Sequence, residues 1–358
     1  KQIYLGPDNR EKDNAVYIGL LDTQKAFDTV WVNGVFVKLF QAGMDPVIWR
    51  MLILSYQNFL CHIRIDDKLS DGFIPGQGLH QGAHWSMYMF ARHYNEMLHD
   101  FRRINKGAHV GQLYTGNPTY ADDVSIATLH KPVLQHYLDQ AYGYSQRWRF
   151  DFNPTKSVVI IFGEDTCPGQ AFGGSEIPEV KGDKHMGILL SCDRGAEIDF
   201  IKQRISKGRQ AFFAAESIGS RTLPSSPIVL SKLYWSNCIS SMTHGLEILP
   251  LTDTSQIMLE QAHGSMAKMV QGQPRQTANV VPVATLGWRS MESHLDYIKL
   301  LFLWRLLLLP MCNIYKQVVL TRLCYHMYEL GGRHLGPLWN IVQVLPRIVV
   351  FIFTWDPT

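Results

Sequence analysis

The sequence predicts an α+β fold in which an antiparallel sheet carries helices on one face and a mainly α-helical half follows it. Three observations carry this expectation. The first half of the chain reads strand, helices, hairpin, helix, hairpin, helix, strand. From Asp193 onward strand-like runs nearly vanish and helical spacing takes over. At 46% apolar and 18% charged over 358 residues, the composition is that of a folded chain long enough for two or three cores.

Residues 16–22 are an unbroken apolar run ending on Asp22, as expected of a strand covered on both faces. Val32, Val35, Phe36, Leu39 and Phe40 recur at helical spacing across 29–41, with Gly43 as a stop. Asp45 then caps a helix that opens on Pro46 and shows Ile48, Met51, Leu52 and Ser55 on one face. A hairpin is expected over 61–75 and a helix over 86–98. A second hairpin joins Leu113-Tyr114, past Gly116-Asn117-Pro118, to Val124–Thr128, with Ala121-Asp122-Asp123 at its tip. A helix over 132–148 and a strand over 157–162 complete this half. In the second half, Ile198, Ile201, Ile205, Phe212 and Ala215 form one stripe of a helix over 197–219. Breaks at 223–227, 249–254 and 272–282 separate further helices. The apolar run 300–310, interrupted by Arg305, is too short for a bilayer and reads as a buried helix.

Bulk properties exclude little by themselves. A net charge of +3 from 34 basic and 31 acidic residues does not signal a polyanion partner, so local clusters must. Six dispersed cysteines with no C-x-x-C pair point to a reduced intracellular protein rather than a disulfide scaffold or zinc site. The polar start, with Lys1 and not Met, implies a fragment boundary and no signal peptide.

Two carboxylates at one turn repel each other unless a cation or a proton lies between them. An isolated Asp-Asp pair is usually a solvated turn, but Asp22 ends a central strand and can converge on Asp122 and Asp123. Three aspartates suffice for a pair of divalent cations when the substrate brings phosphate oxygens, which is the arrangement phosphoryl transfer uses.

Leu21-Asp22-Thr23-Gln24-Lys25-Ala26-Phe27-Asp28-Thr29-Val30-Trp31, then Gly78-Leu79-His80-Gln81-Gly82, Tyr120-Ala121-Asp122-Asp123 and Asn153-Pro154-Thr155-Lys156-Ser157 resemble motifs A, B, C and D of reverse transcriptases. Those of non-LTR retrotransposons are the most similar. The resemblance covers roughly residues 15–190. Gly272-Gln273-Pro274-Arg275-Gln276-Thr277 and Leu286-Gly287-Trp288 resemble, more weakly, a region that follows the polymerase domain. The resemblance to the reverse transcriptases implies a polymerase palm with partial fingers at 1–192, a helical thumb at 193–260 and a helical C-terminal region at 261–358. Asp22, Asp122 and Asp123 become ligands of two Mg²⁺ ions, with Mn²⁺ as a substitute. Phe27 becomes the aromatic under the incoming sugar, against the alternative of a core Phe. Gln81 and Gly82 line the nucleotide pocket, and Lys156 is the general acid for pyrophosphate, against the alternative of a solvated lysine. The implied partners are an RNA template, a DNA primer and deoxynucleoside triphosphates, with no membrane, in a nuclear and cytoplasmic ribonucleoprotein.

Residues 185–190 resemble motif E, although an ordinary strand pair looks the same. From Arg194 to Arg221, six basic residues against three acidic ones leave +3, the net charge of the whole chain. Lys202, Arg204, Lys207 and Arg209 opposite an apolar stripe suit a nucleic-acid grip or, alternatively, a solvated charged face. Met87 stands where the family usually has Pro, so motif B matches least well; little chain precedes Asp22, so most of the fingers are expected to be missing and activity weak. Residues 335–358 match nothing recognisable. The alternatives are an inactive mobile-element relic that binds nucleic acid or a partner, and another palm-type enzyme such as a cyclase.

Overall fold

The computed structural model describes residues 15–57, 59–163, 169–193, 195–219, 226–329, 338–342 and 344. Two compact units divide at Met186/Gly187. The first runs β1 (Val16–Leu21), α1 (Val32–Gln41), α2 (Pro46–Gln57), β2 (Arg64–Ile65), β3 (Lys68–Leu69), α3 (Ser86–Ile104), β4 (His109–Val110), β5 (Leu113–Tyr114), β6 (Val124–Thr128), α4 (Lys131–Trp148), β7 (Val158–Phe162), β8 (Ala171–Phe172), β9 (Ser175–Glu176), β10 (Glu179–Val180) and β11 (Gly182–His185). Its central sheet has the order β10-β7-β1-β6. β1 is antiparallel to both neighbours, and β10 joins β7 in parallel, an exception to the expected antiparallel sheet.

Alternation along the strands sorts the two faces. Tyr17, Leu21, Val124, Ile126, Val159 and Ile161 share one core with α1, α3 and α4, which form the helical layer. Val16, Leu20, Ala127, Val158 and Ile160 point the other way and are buried too, as the apolar run implied. Fold class and helical layer are as expected.

Two local expectations change and a third holds. First, β6 pairs with β1, while β4 and β5 form a small hairpin of their own. Pro118 lacks an amide donor, and the segment before it is tied to β6 by single links: Ala127 N–H to the Gly116 carbonyl at 2.7 Å and Ser125 Oγ to the Pro118 carbonyl. Second, Asp45 caps α2 through the amides of Val47 and Ile48 at 2.8 and 3.2 Å, but the buried stripe is rotated. Trp49, Leu52, Ile53 and Tyr56 meet the core because Trp49 Nε1 donates to the Phe36 carbonyl at 2.8 Å, leaving Met51 65% exposed. Third, the 61–75 hairpin forms as expected, as β2 and β3 with a bridge from Cys61 to Phe73, and its strands are exposed.

The second unit begins with β12 (Ile188–Ser191) and continues through α5 (Ala196–Gly219), α6 (Pro227–Leu233), α7 (Ser240–Thr243), α8 (Asp253–Val270), α9 (Val280–Thr285), α10 (Met291–Leu308), α11 (Ile314–Glu329) and α12 (Leu338–Val342). α6 and α7 are one continuous helix, widened to π turns over Tyr234–Ile239. α5 approaches it closely at Gly208, where a Cβ would lie 2.9 Å from the Cys238 carbonyl oxygen. The expected cut at 260/261 falls inside α8, whose Leu259 and Ala262 belong to one apolar core, so no boundary exists there. α10 covers the apolar run 300–310 only in part: Leu303 is buried, but Trp304 is 59% exposed. No helix among the described residues is long and apolar enough to cross a membrane.

Candidate active site

Asp22 leaves β1 where the loop before β7 closes on it. Its amide donates to Ser157 Oγ at 3.1 Å, and its carbonyl accepts from the Asn153 amide at 2.7 Å. Thr23 bridges to Phe152, and the Gln24 amide reaches the Asp151 carbonyl at 2.9 Å. The Asn153 side chain accepts from the amide and hydroxyl of Thr155, at 3.1 and 2.7 Å, and so shapes the turn that presents Lys156. Lys156 Nζ lies 4.0 Å from Asp22 Oδ2, and both side chains are open to solvent.

Asp122 and Asp123 follow from strand register. Leu21 lies opposite Val124, so the next pair along places Asp22 beside Asp123. The tip is tighter than expected: Tyr120 and Asp123 exchange both backbone hydrogen bonds, at 3.1 and 3.0 Å, leaving Ala121 and Asp122 as the turn. Ala121 takes φ +53°. Asp123 is therefore a strand-end residue. Burial raises its carboxyl above the ordinary range, His185 opposes that, and the charges of Asp122 and Asp22 raise it further. His185, at the end of β11, is lowered by burial against the pull of Asp123. The three aspartates thus share one electrostatic site at one end of the sheet.

Gln81 and Gly82 occupy the exposed loop before α3, with Gly82 at φ +82° and Gln81 Nε2 donating to Asp28 Oδ1 at 3.0 Å. Gly78 needs its φ of +100°, and a Cβ there would lie 2.9 Å from the Asp28 carbonyl oxygen. Phe27 stacks on Phe90 with ring centroids 4.6 Å apart at 14°, and is partly buried against the core. Its backbone carbonyl accepts from the Leu79 amide at 2.8 Å, which fastens the Gln81 loop to the turn that follows Asp22. Met186 and Gly187, after His185, both take positive φ, 53° and 76°, as a two-residue reversal requires.

Among the described residues, no three His, Cys, Asp or Glu side chains close into a cation cage. The donor set is instead an open one, with Asp22 42% exposed and mutual repulsion among the carboxylates. That fits Mg²⁺, which keeps several waters and takes one or two carboxylates with substrate phosphates.

In the second unit, Lys202, Lys207 and Arg209 are exposed on α5, and Lys202 pairs with Asp199 at 3.0 Å. Arg204 must be corrected. It is 8% exposed, sits in the stripe of Phe200, Ile201 and Gly208, donates to the His244 carbonyl and lies over the Phe200 ring. Its helical position points it inward, so it is a packing residue rather than part of an outward basic face. Arg194 and Arg221 lie outside the described residues.

Thr23, Tyr94, Ser157 and Asn153 also shape the site, and pattern reading assigned them no role. Thr23, Asn153 and Ser157 fall inside the quoted motifs, which was the available signal; Tyr94 reads as one more core aromatic of α3.

A family profile described as Reverse transcriptase (RNA-dependent DNA polymerase) matches residues 6–191. An RNA-directed DNA polymerase from mobile element jockey of Drosophila melanogaster is 26% identical over 178 residues, covering 48% of this chain and 19% of the relative. A retrovirus-related Pol polyprotein from type-2 retrotransposable element R2DM, also of Drosophila melanogaster, is 25% identical over 223 residues, covering 56% of this chain and 21% of the relative. The chain thus spans about a fifth of the length of these relatives. A structure of telomerase from Candida tropicalis with a fragment of telomeric RNA aligns over 87% of this chain and 50% of that one, at 13% identity and a TM-score of 0.40. With its four motifs in order and its aspartates gathered at the end of β1 and β6, the chain belongs to the reverse transcriptase family, of the kind found in non-LTR retrotransposons.

Proposed function

We propose that this chain carries the nucleotidyl-transfer centre of an RNA-directed DNA polymerase. The observation that carries the reading is the convergence of Asp22, Asp122 and Asp123 at one end of the sheet, with Lys156 beside Asp22. The partners are an RNA template, a DNA primer and deoxynucleoside triphosphates.

Asp22, Asp122 and Asp123 would hold two Mg²⁺ ions, or Mn²⁺ in their place. Bound there, the ions supply a polarised primer 3′-hydroxyl and charge neutralisation on the triphosphate. The rest falls to the chain's own groups. Lys156 is exposed and cationic beside Asp22, which suits proton delivery to the pyrophosphate oxygen as its bond to the α-phosphorus breaks. Gln81 is braced on Asp28 and Gly82 leaves the backbone open to a base, so the loop fits the template-nucleotide pair. Phe27 has its ring already stacked on Phe90, which supports it as a rigid floor under the sugar. Lys202, Lys207 and Arg209 remain the candidates on α5 for duplex backbone contact.

Primer extension on an RNA template, with Asp122→Asn as the control, tests the reading. The expected result is extension that requires Mg²⁺ or Mn²⁺ and falls at least a hundred-fold or so in the variant at unchanged Tm. Equal extension by both proteins, or none by the unaltered chain, refutes it.

A further inference from the structure

The turn that carries Asp122 is poorly held by its own backbone. Ala121 has φ +53°, a left-handed conformation that disfavours any side chain, and the Tyr120–Asp123 pair closes the loop. Lateral support comes from two hydroxyls. Thr23 Oγ1 donates to the Asp122 carbonyl at 3.4 Å and itself accepts from the Tyr94 hydroxyl at 2.9 Å. Thr23 is 6% and Tyr94 2% exposed, so the bond between them is shielded from bulk water, while the bond to the Asp122 carbonyl is partly buried. The Tyr94 ring is fixed from two sides, with centroids 4.8 Å from Phe90 and 5.0 Å from Phe150. Each hydroxyl has one proton. With Tyr94 donating to Thr23, the proton of Thr23 is left for Asp122, which gives the relay one direction.

Thr23 is bridged on its other side to Phe152. One buried threonine therefore touches α3, the Asp122 turn and the loop that carries Lys156. We propose that Tyr94 and Thr23 are positioning residues: a relay from α3 that sets the Asp122 turn against the end of β1 and so fixes the separation of the Asp22 and Asp122 carboxylates. Neither touches substrate. The proposal rests on the polymerase reading for its consequence in catalysis, but not for its consequence in the turn.

The test compares Tyr94→Phe, Thr23→Val and Thr23→Ser with the unaltered chain. Tyr94→Phe removes one oxygen and keeps the ring contacts. In metal-free protein, the Tyr120 and Asp123 amides should exchange about ten-fold faster in Tyr94→Phe and Thr23→Val, with the interior amides of α3 unchanged. Mn²⁺ alone, titrated by electron paramagnetic resonance, should bind about five-fold more weakly, and kcat for primer extension should fall about ten-fold at constant KM for the nucleotide. Thr23→Ser should restore all three. The double variant should be no worse than either single one, because both break the same relay. Unchanged exchange at the turn in Tyr94→Phe overturns the proposal, as do losses that multiply in the double variant. If the unaltered chain does not extend primers, the polymerase reading falls, and the exchange comparison still decides the relay.

Discussion

Lys38 offers a test of the palm's packing that is independent of catalysis. It projects from α1 into the layer between α3 and α4 and is 4% exposed. Its Nζ donates to the His93 carbonyl at 2.7 Å and to the Tyr144 hydroxyl, lies 3.6 Å from the centre of a Trp148 ring, and meets Glu96 at 3.4 Å on the solvent side. Burial lowers its pKa from 10.5 to about 8, with Glu96 opposing and Arg92 and Arg147 adding to the fall. The sign follows from proton binding. Below pH 8 both folded and unfolded chains carry the proton and the folded state bears the full penalty; between pH 8 and 10.5 the unfolded chain binds more protons, so stability rises with pH. A depression from 10.5 to about 8 corresponds to about 3 kcal/mol across that window. Lys38→Met keeps the stem and removes the charge, leaving Tyr144 donating to His93 and Glu96 facing water. Urea unfolding of both proteins from pH 7 to 10.5 isolates the group, because the other titrations are common to both. The stability of the unaltered chain relative to Lys38→Met should climb by about 3 kcal/mol from pH 7 to 10.5. A difference that stays flat, or that falls, refutes the assignment of a buried lysine with a depressed pKa.

Other substitutions address the site and the second unit. Gly78→Ala forces a side chain into φ +100° against the Asp28 carbonyl, and should cost about 1–3 kcal/mol in thermal unfolding; unchanged Tm would show that the loop does not sit as described. Arg204→Met should lower stability by about 1–2 kcal/mol through loss of its bond to His244, while leaving the salt dependence of RNA–DNA hybrid binding untouched. Replacing Lys202, Lys207 and Arg209 together by Gln should do the reverse, lowering the log–log salt slope by about 2–3 at constant Tm; an unaltered slope assigns those three residues to an ordinary solvated face. Asp45→Ala removes the acceptor for the first amides of α2 and should cost about 1 kcal/mol, read as a fall in Tm.

Much of the site was legible along the chain. Asp22 at the end of an apolar strand and the Asp122-Asp123 pair at a turn are marked by short-range chemistry, whereas the Gln81-Gly82 loop and Lys156 are marked by their resemblance to the family's motifs, since a turn glycine or an exposed lysine looks ordinary on its own. The cap at Asp45 and the start of α2 at Pro46 were legible from short-range chemistry too, since capping involves neighbours within one turn. Pairing was not. β6 takes β1 as its partner because two buried faces match in register over five residue pairs, and nothing near Leu113 or Val124 states that preference. Periodicity showed that α2 has an apolar face, yet only contact with Phe36 decided that Trp49 and Tyr56, not Met51, are the covered ones. Arg204 looked like its basic neighbours, and its helical angle, which aims it at Phe200 and the His244 carbonyl, made it a packing residue. Tyr94 carried no mark beyond a core stripe, because the oxygen that meets its hydroxyl is 71 residues away in the chain. Local sequence therefore determined which groups this protein has for its chemistry; the tertiary structure alone decided which of them meet, because burial and hydrogen bonding between distant segments depend on strand register and helix rotation that no short stretch encodes.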